Sequence, residues 1–101
     1  MNVKIVELND GIIKYLGYGV DKFPCAHIEK LIDEFGHEKG AYIECQVIAL
    51  LCEANNVVID WSKNSLSSAG REVANYLHEK HPELSEMSLH AIAWKFTFDW
   101  R

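Results

Sequence analysis

The sequence predicts an all-α fold, an irregular bundle of about five helices around a central apolar helix. Apolar residues recur at the helical period in separate segments, Pro, Gly, Asn and Ser mark the breaks between them, and three of the segments carry no competing strand pattern. A second arrangement stays open, with a small three-stranded sheet made from residues 3–8, 57–61 and 94–100 beside three helices.

In the first segment Ile5, Leu8, Ile12 and Tyr15/Leu16 fit a helix, while Asp10-Gly11 weakens it and Val3-Lys4-Ile5 also reads as the start of a strand. The clearest helix runs from Pro24 to Gly36: Ile28, Leu31, Ile32 and Phe35 fall at i, i+3, i+4, i+7, Pro opens it and Gly closes it. Its opposite face carries His27, Glu29, Lys30, Asp33 and Glu34.

Residues Ala41 to Ala54 are apolar almost all round, which predicts a central, largely buried helix ended by Asn55-Asn56. Val57-Val58-Ile59-Asp60-Trp61 is β-branched and short, an extended connector or a strand. Leu66, Ala69, Val73, Tyr76 and Leu77 make the next stripe, ended by His81-Pro82 because Pro disfavours helical geometry in the residue before it.

The terminal segment carries two adjacent stripes, Leu84, Met87, Ala91, Trp94, Phe98 and Leu89, Ala93, Phe96, Trp100. Trp94, Phe96, Phe98 and Trp100 also alternate with period two, a strand pattern. Aromatics of this size are costly in water, so the segment is expected to pack on the body or on a partner.

The 101 residues, 49% hydrophobic, suit a single domain over 1–101 that folds without a metal or a disulfide. Eight acids face five bases in residues 1–50, and seven face five in the remainder, so neither half is a basic arm and nucleic acid is not expected as a partner. Cys25, Cys45 and Cys52 are odd in number and lack Cys-x-x-Cys spacing, which fits reduced thiols. No run is long enough to span a membrane, and Met1-Asn2-Val3-Lys4-Ile5 lacks the marks of a secretory leader, so a cytoplasmic location is expected.

Catalytic signatures are weak. His78 and His81 stand at i, i+3 but lack two further zinc ligands nearby, and the stretch is not His-Glu-x-x-His; no metal or cofactor is expected. Cys45 and Cys52 share one side of their helix, where Cys acts as a small hydrophobe. Gly17-Tyr18-Gly19 lacks the Lys-Ser/Thr of a phosphate loop, and Ser65 to Ala74 has helix-turn-helix texture in an acidic setting that suits no groove. Glu44, inside the apolar helix, is the best candidate acid or base, so a small enzyme or ligand-binding domain using Glu44, a His or a Cys is one functional reading.

The other is a binding protein. Glu29, Asp33, Glu34 and Glu38 form an acidic ridge on and just beyond the best-defined helix, suited to a basic partner protein; exposed aromatics near Trp61 or Trp100 are the alternative contact surface. The stretches Val73-Ala74-Asn75-Tyr76-Leu77 to His81-Pro82-Glu83-Leu84-Ser85 and Ala91-Ile92-Ala93-Trp94-Lys95-Phe96-Thr97-Phe98-Asp99-Trp100, in a small acidic chain, resemble helical immunity proteins of bacterial contact-dependent inhibition systems. That resemblance implies a stoichiometric inhibitor, not an enzyme, that covers the active site of a cationic toxin such as a nuclease. It assigns no residue by position.

Overall fold

The computed structural model describes residues 3–101. Five helices follow one another: α1 (Ile5–Leu16), α2 (Ile28–Phe35), α3 (His37–Asn55), α4 (Leu66–Lys80) and α5 (Glu86–Trp100). No strand forms among the described residues, so residues 57–61 are connector and 94–100 belong to α5. The all-α expectation holds and the small sheet does not form.

Helix α1 survives its central Asp10-Gly11 because the glycine has a packing role. A Cβ at Gly11 would lie 2.6 Å from Cγ2 of the buried Ile43, so α1 and α3 approach too closely there for any side chain. Leu8, Ile12, Tyr15 and Leu16 face the core, whereas Ile5 lies outside it. The helix opens with the Glu7 carboxylate accepting from the Lys4 N–H at 3.0 Å.

Helix α2 begins at Ile28, four residues later than Pro24 suggested. The backbone of the preceding stretch is committed elsewhere: the Cys25 N–H donates to the Leu16 carbonyl at 3.0 Å and the His27 N–H to that of Tyr15 at 2.9 Å. Only Gly36, at φ 87°, separates α2 from α3. Beyond it Gly40 rests on the α2 backbone, where a Cβ would sit 3.0 Å from the Leu31 carbonyl carbon.

Helix α3 packs on α1, α2 and α5, and its buried residues are Gly40, Ile43, Val47, Leu50 and Ala54. The expectation of a largely buried helix fails on its other side, where Tyr42, Cys45, Ile48, Ala49 and Cys52 are exposed. Helix α4 rests on α5 and leaves that face of α3 uncovered.

Ser65 caps α4 by accepting from the Ser68 N–H at 3.2 Å, and Ser85 caps α5 by accepting from Ser88 at 3.1 Å. Val73 and Leu77 of α4 meet Ala91, Ile92 and Phe96 of α5 in a core continuous with α1 and α3. Gly70 lets the two helices close, since a Cβ there would lie 2.8 Å from Thr97 Cγ2. The terminal aromatics pair across elements, Tyr18 with Trp94, Phe23 with Phe98 and Trp61 with Trp100.

Candidate functional site

The four ridge carboxylates all lie at the surface, but they are not equivalent. Glu29 and Glu38 stand in the first turns of α2 and α3, where negative charge complements the helix dipole. Glu29 also accepts from His27 Nδ1 at 2.9 Å, and Glu34 is ion-paired with Lys14, which reaches Asp10 at 3.0 Å as well. Among the described residues no ion-pair partner is found for Asp33 or Glu38. Along the ridge engaged and free carboxylates thus alternate, Glu29 and Glu34 paired and Asp33 and Glu38 free among the described residues, around the corner at Gly36. Tyr42, one turn beyond Glu38, opens the exposed apolar face of α3.

Glu44 is half-buried on α3 and bonded to α1. Its Oε2 accepts from the Tyr15 hydroxyl at 2.9 Å, and burial, then this bond, pushes the Tyr15 phenol up to about 12. The bond joins α1 to α3. His78 and His81 do not converge either: His81 Nε2 meets Glu53 at 2.8 Å, while His78 lies exposed on α4.

The main concavity is an open groove of about 450 Å³ between α4 and α5, lined by Tyr18, Arg71, Asn75, His90, Trp94 and Thr97 among others. No spacing in the sequence joined these residues, because they come from three separate segments. Arg71, exposed on α4, brings a guanidinium to the groove, and His90 of α5 an imidazole.

A third cluster lies in the connection between α1 and α2. A carboxylate oxygen of Asp21, the Cys25 sulfur and a ring nitrogen of His27 all lie within 4.8 Å of one another. His27 Nε2 sits 2.5 Å from Asp21 Oδ2 while Nδ1 faces Glu29. The His27 bond holds the Asp21 carboxyl below the ordinary carboxylate range, and the imidazole is pushed up by Asp21 and then by Glu29. A backbone hydrogen bond, then His27, holds Glu29 down as well. The order Asp21-x3-Cys25-x-His27 was the available signal, hidden because an irregular connection has no period to reveal which side chains converge.

No protein-family model, no curated protein and no solved structure matches the chain. No helix among the described residues is long and apolar enough to cross a membrane.

Proposed function

We propose that this chain is an immunity-type protein, a stoichiometric inhibitor that binds a basic toxin domain with nuclease chemistry in the cytoplasm of the cell that makes it. The observation that carries this reading is the pair Asp33 and Glu38, two exposed carboxylates without ion-pair partners among the described residues, on a helical corner. A surface built to hold phosphates attracts such groups at long range and accepts them in place of its substrate. Glu29 and Glu34 add negative charge beside them, and Tyr42 offers an exposed aromatic anchor of the kind enriched at the centres of protein interfaces. The inhibitor needs no cofactor and no chemistry of its own.

The test is to mix the purified protein with a purified basic nuclease toxin domain, taken first from any toxin gene found beside its own. A one-to-one complex and loss of nuclease activity are expected, with slower association when Asp33 and Glu38 are changed to Lys. A toxin domain that stays active at stoichiometric excess of this protein would reject the reading.

The α4–α5 groove favours a second reading, a ligand-binding domain. Arg71 and His90 beside the Tyr18–Trp94 pair suit an anionic aromatic molecule. Arg71→Ala would abolish such binding and leave toxin neutralisation unchanged.

A further inference from the structure

The connection from Gly17 to His27 is a fixed piece of backbone. The Asp21 N–H donates to the Gly17 carbonyl at 2.8 Å, and Cys25 and His27 are tied to the end of α1 at 3.0 and 2.9 Å. Gly17 has φ 79°, and a Cβ there would collide with the Asp21 carboxylate, so this glycine makes room for the side chain. The three donors gathered above it are oxygen, sulfur and nitrogen, each on a backbone position set by its own hydrogen bond.

Carboxylates face both nitrogens of His27, Asp21 at 2.5 Å and Glu29 at 2.9 Å. Two arrangements satisfy that geometry: a protonated ring that donates to both carboxylates, or a cation between Nε2 and Asp21, with Nε2 and the carboxylate as ligands and Nδ1–H donating to Glu29. A carboxylate behind the histidine is the usual partner of a metal-binding imidazole, fixing its tautomer and raising its basicity. His81, with Glu53 at 2.8 Å and Glu83 at 3.6 Å, has the same two-sided arrangement but no third donor of another kind.

We propose that Asp21, Cys25 and His27 form a zinc site with Glu29 orienting the histidine. Sulfur and imidazole donors suit zinc and disfavour magnesium and calcium, which take oxygen. With bonds of about 2.0–2.3 Å to the metal, the donors stand roughly 3.3–3.7 Å apart. Asp21 and His27 therefore part by roughly 1 Å on binding, a movement that side chains at the surface permit. The Cys25 thiol gives up its proton to solvent as the zinc–sulfur bond forms, leaving a thiolate and a carboxylate to balance the dication. Three protein ligands leave one position of the tetrahedron for water or a side chain from outside. The three ligands lie in the connection before α2, apart from Asp33 and Glu38, and the site shares only Glu29 with the acidic ridge.

The test uses cobalt(II), whose thiolate complexes absorb in the near ultraviolet, followed by displacement with zinc in competition with a chromophoric chelator. The full-length protein is expected to bind one cobalt ion with a thiolate charge-transfer band that zinc removes. Cys25→Ser, at an exposed position, should fold as before by circular dichroism and lose the band, whereas Cys45→Ser with Cys52→Ser should keep it. Glu29→Gln should weaken zinc binding by about 10–100-fold. A band that survives Cys25→Ser, a band lost with Cys45 and Cys52, or wild-type zinc affinity no greater than that of Cys25→Ser would each overturn the proposal.

Discussion

The Tyr15 hydroxyl donates to Glu44 Oε2 at 2.9 Å and ties α1 to α3 at a place where the phenol is almost wholly buried. In the unfolded chain this tyrosine ionises near its ordinary value of 10.0, whereas in the folded protein it holds its proton to about 12. Between those values the folded state binds the proton that the unfolded state has lost, so stability falls as pH rises. Urea unfolding at several pH values checks this. Tyr15→Phe should cost about 1 kcal/mol at pH 7, and the gap to wild type should shrink above pH ~10. A constant gap across that range would show that the phenol titrates alike in both states.

Gly70 and Thr97 give a stability test with an internal rescue. Gly70→Ala gains up to about 1 kcal/mol of helix propensity but drives its Cβ against the Thr97 methyl, for a net loss of about 1–2 kcal/mol. Thr97→Ser removes that methyl and keeps the hydroxyl, which donates to the Trp94 carbonyl at 3.0 Å. In that background Gly70→Ala should become neutral or stabilising. Thermal unfolding of the four proteins closes the cycle.

Asn9 anchors the start of α5 from α1. Its Oδ1 accepts from the Ser85 N–H at 2.8 Å, and its carbonyl accepts from the buried Ser88 hydroxyl at 3.1 Å. Asn9→Ala leaves the Ser85 N–H without its partner and should cost about 1–3 kcal/mol. Asn9→Asp, which keeps an acceptor there, should recover most of it in chemical denaturation.

The ridge residues should separate in binding kinetics and not in stability. Asp33→Lys with Glu38→Lys should slow association with a basic toxin domain several-fold and flatten its salt dependence, measured by stopped flow at low and moderate salt. Glu34→Lys should change the rate less, because its charge is already shared with Lys14. Each single change should stay within about 1 kcal/mol of wild-type stability.

Periodicity revealed the helices because a face that meets a neighbour must repeat every 3.6 residues, and α2 and α4 obey that rule most plainly. It misjudged α3, since an apolar residue signals that it can be buried and not that a neighbour covers it. Ile43 and Val47 found one, and Tyr42, Cys45, Ile48 and Cys52 did not. Gly11 read as a flaw in a helix, because only the fold reveals Ile43 against it. Of the functional surfaces, the ridge was visible as charge on one helix face, but its division into free and engaged carboxylates depends in part on Lys14, which α1 delivers. The α4–α5 groove was hidden for the same reason, and the Asp21–Cys25–His27 cluster because an irregular connection has no period.

The uncovered face of α3 has a consequence for the chemistry of air exposure. Cys45 and Cys52 lie two turns apart on one straight helix, roughly 10 Å along its axis, well beyond the Cα separation of about 7 Å that a disulfide can bridge. Neither can close a ring with the other inside one copy. Oxidation through this face must join separate molecules, and two such thiols per chain let the linkage continue from copy to copy. A sample kept without reductant will age into a ladder on a non-reducing gel, and Cys45→Ser with Cys52→Ser will remove the rungs that this face supplies.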